Sequence, residues 1–211
     1  MERVRIQYAK TETLRYTGNL DIHKAWERTL RRSRLPMAYS QGFHPQPRLI
    51  QACPLPLGIT SLAEVIDVWL DEDIPLDLVE PALRRAVPPG IEIIYLSLAN
   101  LQEPALPTQV IASEYQVILL ETVSTIDLDK RIKELLEVSQ IPRSRRGKNY
   151  DLRPLVEDLR QTSETANDSG VFMRLSAREN ATGRPEEVLS ALNLDPTAAR
   201  IQRISLIFRN S

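Results

Sequence analysis

Residues 63–99, AEVIDVWLDEDIPLDLVEPALRRAVPPGIEIIYLSLA, set a strand, a helix and a strand in immediate succession. In AEVIDVWLDE, Val65 and Asp67 alternate against Ile66 and Val68, the period-2 signature of an extended chain. LDLVEPALRRAV follows as a helix and IEIIYLSLA as a second strand. Toward the N-terminus, Val4, Ile6 and Tyr8 alternate with Arg3, Arg5 and Gln7, which predicts another strand with one buried face. After it, DIHKAWERTLRRS (21–33) places Ile22, Ala25, Trp26, Thr29, Leu30 and Ser33 on one helical face, with Asp21 or Asn19 as the expected cap. Leu35-Pro36 ends that helix, because a residue before proline avoids the α region. The proline-rich stretch that follows reads as an ordered loop with a short edge strand near Leu49–Ala52. The first half therefore runs strand, helix, strand, strand, helix, strand.

The second half repeats this order. YQVILLE reads as a strand, DLDKRIKELLEVS as a helix, RPEEVLSAL as a helix and ARIQRISLIF as a strand. Between the helices, IPRSRRGKNYDLRPLVEDLRQT fits either a hairpin or a strand followed by a helix from Pro154, since Leu155, Val156 and Leu159 also satisfy helical spacing. SETANDSG (163–170) is polar and turn-rich, which predicts a mobile surface loop. The expectation is an α+β protein of two tandem ferredoxin-like β-α-β-β-α-β halves, at 1–103 and 114–211, joined by a proline-containing linker at 104–113.

The chain has 211 residues, 27 Lys plus Arg against 28 Asp plus Glu, two His and one Cys. One Cys and two His cannot supply the soft ligands of a structural zinc site or an iron-sulfur cluster, so no metal is expected. The N-terminus MERVRIQYAK has no apolar h-region, and no apolar run approaches bilayer length, so a cytoplasmic protein without membrane contact is expected. Phosphate-loop, dinucleotide, zinc-protease and nucleophile-elbow motifs are absent, which removes the easy enzymatic readings without excluding an enzyme. The near-zero net charge hides segregation: cations gather at 24–48 and 143–153, while Asp67–Glu80 holds much of the acid.

Lys24, Arg28, Arg31 and Arg32 form one stripe on the face of the first helix opposite its apolar residues. Directly after it comes the densest feature, with Tyr39, Ser40, Gln41, Phe43, His44 and Arg48 around Gly42. Aromatic faces, amides and cations together suit unpaired RNA bases and their phosphates. Tyr39 and Phe43 also fit as core anchors of a stiff loop with Gly42 at a positive φ, and for Phe43 the core is the expectation. A second cluster, Arg143, Arg145, Arg146 and Lys148 around Gly147, with Arg153 beyond, fits either a phosphate chain, an acidic partner or a solvated hairpin tip. His23 reads as structural and Cys53 as a small buried hydrophobe.

Several of these segments also carry a resemblance. Gly18-Asn19-Leu20-Asp21, the helix from Glu27-Arg28 through Arg31-Arg32 to Leu35-Pro36, Tyr39-Ser40-Gln41-Gly42-Phe43-His44-Pro45, and Pro54-Leu55-Pro56-Leu57-Gly58 with Ser61 and Glu64 resemble the radical-SAM-linked, or radical-SAM-associated, DUF2344 family of uncharacterised bacterial proteins. Asp151-Leu152-Arg153-Pro154 and Arg184-Pro185 are similar to it too. The resemblance implies a radical-SAM protein as partner, with the iron-sulfur cluster and S-adenosylmethionine on that partner, because this chain lacks C-x-x-x-C-x-x-C. It supplies no catalytic residue.

Three functional expectations follow. The first is an RNA-binding accessory protein that presents ribosomal or transfer RNA to the radical-SAM partner, gripping it with the basic helix and residues 39–48, and with 143–153 extending the contact. The second is a protein-interaction module that uses the same side chains on the partner and touches no RNA. The third is a small RNA-processing hydrolase with His44 or His23 as acid/base.

Overall fold

The first strand, β1 (Glu2–Lys10), runs antiparallel to β3 (Thr60–Leu70) and to β4 (Ile91–Ala99), and the three-residue β2 (Leu49–Gln51) pairs with β3. The computed structural model describes residues 1–145, 147–162 and 169–209, and its mixed α+β chain divides into two compact units, Met1–Val110 and Ile111–Ser211. In the first unit the strand order is β2–β3–β1–β4. Helices α1 (Asn19–Ser33) and α2 (Leu76–Ala86) share a core with this sheet, in which Val4, Ile6 and Tyr8 of β1 lie with Ile22, Trp26 and Leu30 of α1 and Val79 and Leu83 of α2. Tyr8 meets Trp26 edge to face, with ring centroids 4.9 Å apart. Each such side chain withdrawn from water stabilises the unit by roughly 1.5–3 kcal/mol.

The helix cap differs from expectation. Gly18, with extended backbone, is the N-cap: its carbonyl accepts from the amides of Asp21 and Ile22 at 3.0 Å each, and no side chain caps the helix. The boundary between the two units falls within the expected linker at 104–113, but residues 106–113 are regular structure. Pro107 sits in the first turn of the short helix α3 (Leu106–Gln109), where its missing N–H costs nothing, and Leu106 is fully buried. The strand expected from Tyr115 already begins at Val110, and β5 (Val110–Leu119) buries Val110, Ala112 and Ser113 ahead of Tyr115. Between α2 and β4, Gly90 adopts φ +94, and a Cβ there would lie 2.6 Å from Cγ of Leu14.

The second unit continues with α4 (Thr125–Glu137), the hairpin β6 (Pro142–Arg145) and β7 (Lys148–Asp151), β8 (Val156–Thr162), β9 (Gly170–Arg178), β10 (Ala181–Thr182), α5 (Pro185–Ala191) and β11 (Ala199–Phe208). Its strand order is β8–β9–β5–β11, with β10 also paired to β9. The stretch after Pro154 is a strand, not a helix. The register against β9 shifts between Val156 and Asp158, so Glu157 is an extra residue and Val156 and Leu159 both turn inward despite their three-residue spacing. A bulge thus imitates helical periodicity in the sequence. Residues 163–168, most of the expected mobile loop, lie outside the described residues. Among the described residues, no helix is long and apolar enough to cross a membrane.

Candidate functional site

The segment between α1 and β2 folds back on itself as a ribbon. Ala38 donates its amide to the carbonyl of Trp69 at 2.8 Å, and the amide of Arg48 returns to the carbonyl of Ala38 at 2.7 Å. Nearer the tip, the amide of Ser40 reaches the carbonyl of Gln46 at 2.9 Å, while the amide of Gln46 donates to Oγ of Ser40 at 3.1 Å. Buried Met37, Ala38 and Pro47 anchor the ribbon. The expectation that Phe43 belongs to the core is therefore wrong. The ribbon closes before Phe43 can reach an apolar neighbour, and the side chain is 102% exposed. Gln41, His44, Pro45 and Gln46 are exposed with it, Gly42 turns the chain at φ +129, and Tyr39, bridged to Pro47, is 44% exposed.

The stripe on α1 divides by partner. Lys24 and Arg28 face solvent without an ion pair among the described residues. Arg31 donates through Nη2 to Oε1 of Gln46, which joins the helix to the ribbon. Arg32 instead donates to the carbonyl of Ala86 at the end of α2, 2.7 Å away. Arg48 lays its guanidinium 4.4 Å from the centroid of the Trp69 ring. The structure thus brings Arg31, Tyr39, Ser40, Gln41, Phe43 and His44 onto one helix-and-ribbon surface, and holds Arg32 at its structural contact. His23 lies 3.6 Å from Glu27 one helical turn on. Cys53 is buried.

Below the ribbon lies a clamp that the sequence reading passed over. Asp67, fully buried in β3, receives Nε of Arg3 at 2.8 Å, and Nε and Nη2 of Arg5 at 2.8 and 3.0 Å. Arg3 also donates to the carbonyls of Asn100, Glu103 and Pro104 at 3.1–3.3 Å, and Arg5 reaches Glu103 at 3.2 Å. The hydrogen bonds to Asp67 raise the Arg5 guanidinium above its ordinary range against the opposing effect of burial. The clamp ties residues 100–104 to the sheet. Its sequence signal was an acid between Ile66 and Val68 in the apolar half of β3, opposite two arginines on the same face of β1.

In the second unit, Arg143, Arg145 and Lys148 of the expected cation cluster lie on the β6–β7 hairpin with Arg153 just beyond it, and Arg143 and Arg153 are engaged. Arg143 pairs with Glu187 at 3.6 Å and lines a groove of about 490 Å³ with Arg131, Leu135, Val138 and Leu192. Arg153 donates to the carbonyls of Leu136 and Val156 at 3.0 and 3.2 Å, which closes the end of α4. Asp151 accepts the amides of Ile141 and Arg153 at 2.7 and 3.0 Å, so the Asp151-Leu152-Arg153-Pro154 segment latches the base of the hairpin. Arg145 is half-buried near Glu186 and Tyr150; burial pushes both of those groups up, while the charge of Arg145 opposes the rise. Lys148 is exposed, and Arg146 lies outside the described residues. Among the described residues, no group of three or more His, Cys, Asp and Glu could hold a metal ion.

Comparison with known proteins adds little chemistry. The chain is similar to a chain in the crystal structure of the archaeal box H/ACA sRNP Nop10-Cbf5 complex, at 10% identity and a TM-score of 0.47, covering 95% of this chain and 46% of that one. It therefore spans less than half of that chain's length. A putative glycine cleavage system transcriptional repressor aligns over 99% of this chain and 98% of its own, at 8% identity and a TM-score of 0.26. No curated protein matches. The family assignment is direct, for the model of an uncharacterised family conserved in bacteria, DUF2344, matches residues 3–185, and the chain belongs to that family.

Proposed function

We propose that this protein is a cytoplasmic RNA-binding accessory factor that presents RNA to a radical-SAM partner enzyme, and that each of its units is a ferredoxin-like module. The strand orders β2–β3–β1–β4 and β8–β9–β5–β11, each with a helix in both crossovers, support the second part. The observation that carries the first is Phe43. Leaving a phenylalanine wholly in water forgoes roughly 1.5–3 kcal/mol of burial, and this one stands at the tip of a ribbon joined to cationic α1. A flat apolar ring on a ribbon joined to the helix that carries Lys24, Arg28 and Arg31 is the combination that stacks an unpaired base while tracking its phosphates.

The radical-SAM partner is inferred from the family resemblance. Cys53, the single and buried cysteine, does not fit a [4Fe–4S] cluster, so the cluster and S-adenosylmethionine are assigned to the partner. Exposed Phe43 and Tyr39 among arginines also match a protein hot spot. One experiment separates the readings. A single-stranded oligoribonucleotide titrated at several salt concentrations should bind with a log–log slope near −2, about −0.7 for each phosphate neutralised by Lys24, Arg28 and Arg31. Phe43→Ala should weaken binding about 5- to 140-fold, the loss of ~1–3 kcal/mol of stacking, with no change in melting temperature. Absent or salt-independent RNA binding, with nuclease-resistant co-purification of a protein partner that Arg28→Glu abolishes, would replace RNA by protein.

A further inference from the structure

The last turns of α1 and α2 end beside one another, joined by the hydrogen bond from Arg32 to the carbonyl of Ala86. With the turn that follows α2 they enclose a depression of about 420 Å³, within the usual range of small-ligand sites. Arg32, Arg34 and Arg85 line it, Ala86, Pro88 and Pro89 form apolar walls, and no carboxylate contributes. Arg34 and Arg85 are exposed and have no acidic partner among the described residues. Arg84, one residue away, is different: it binds Glu80 at 2.8 Å and the carbonyl of Ile93 at 2.6 Å. Arg34 holds φ 59 and ψ 20, a left-handed position in which glycine is unstrained and an L side chain is not.

A cation near a helix C-terminus is favourable in itself, so the first question is whether the two helix ends account for these arginines. Each end carries about −0.5 elementary charge, and the pair about −1. Three guanidinium groups leave an excess near +2. The helix ends therefore explain roughly one arginine, and the rest await an anion.

We propose that this depression binds a phosphomonoester dianion, such as a nucleoside 5′-monophosphate or the 5′-terminal phosphate of an RNA strand. A monoester carries about −1.5 to −2 at neutral pH and matches the excess, whereas an internal diester or a carboxylate supplies about half of it. Guanidinium forks present paired N–H donors at the spacing of phosphate oxygens. Arg34 and Arg85 take no part in the helix-and-ribbon surface, so the proposal stands whether or not that surface binds RNA.

The test is titration of the full chain with AMP, with adenosine, and with a short oligouridine bearing either a 5′-phosphate or a 5′-hydroxyl. In at least one arm the phosphate should tighten binding by about tenfold or more. Arg34→Gly, which relieves the left-handed residue and so preserves folding, and Arg85→Gln should each remove that gain. A gain with AMP identifies a free nucleotide as the source, and a gain confined to the oligomer identifies a strand end. If neither ligand binds better with its phosphate, or if the gain survives both substitutions, the proposal is overturned. AMP binding with no binding of either oligomer would sustain this pocket while refuting the RNA reading of the ribbon.

Discussion

Replacing Asp67 with asparagine keeps the shape of the side chain and removes the only carboxylate, among the described residues, within ion-pair reach of the buried Arg3 guanidinium, whose side chain is 2% exposed. Removing one partner of a buried ion pair costs roughly 3–5 kcal/mol, because the other charge stays dehydrated and uncompensated. The geometry places this case near the lower end. Arg3 keeps three carbonyl acceptors at 3.1–3.3 Å, and Arg5, with a 21% exposed side chain, keeps Glu103 and water. About 3 kcal/mol is the expected loss, a large part of the roughly 5–15 kcal/mol available to a domain. Urea unfolding of Asp67→Asn should show it as a lower midpoint at unchanged slope. In a cycle with Arg3→Ala and Asp67→Ala, the coupling between the two sites should exceed about 1 kcal/mol, since residues sharing one network are not additive. A loss below about 1 kcal/mol in Asp67→Asn would show that the carbonyls and water hold Arg3 and Arg5 without the acid, and the clamp would lose its role in fixing residues 100–104.

Further outcomes are as definite. Burial raises the folded-state pKa of Glu186 above its value in the unfolded chain, so the folded state binds more protons between the two values and stability falls as pH rises through that window; Glu186→Gln should flatten this slope in melting curves taken from pH 4 upward. Gly90→Ala should destabilise by more than about 1 kcal/mol in thermal unfolding, since its φ of +94 strains any Cβ and Leu14 occupies the space. Arg28→Glu should leave the unfolding midpoint within about 0.5 kcal/mol of the parent and reduce the salt slope of RNA binding by about 0.7.

The parts of the fold that were legible are those where one periodicity rules. The apolar stripe Ile22, Trp26 and Leu30 points into the core as spacing predicts, and so do Val4, Ile6 and Tyr8. Legibility failed where an irregularity intervened. The bulge at Glu157 left strand and helix both open after Pro154, and the two prolines near 104–107 suggested a linker although Pro107 sits where a helix accepts it. At the site, the cations of α1 and the composition of the ribbon could be read directly, but the position of Phe43 could not. Its exposure is decided by where Met37, Ala38 and Pro47 pin the ribbon, which depends on pairing to residues some thirty positions away around Trp69 and Leu70.

The arginines show why composition could not settle function. Arg3, Arg5, Arg84 and Arg153 are of the same type as Arg28, Arg34 and Arg85, yet the first group donates to carboxylates or carbonyls within the fold. Only the second group is left to answer an external anion. A guanidinium already satisfied within the fold contributes stability and little recognition, since moving it to a ligand would strand the carbonyls or the acid it leaves. The near-zero net charge sums both groups and so reports neither. The relevant quantity for binding is the charge left after internal pairing, and in the first unit that remainder includes the outer face of α1 and the adjoining ends of α1 and α2. A ligand seated at either of these places is therefore expected to be anionic even though the chain as a whole is not cationic.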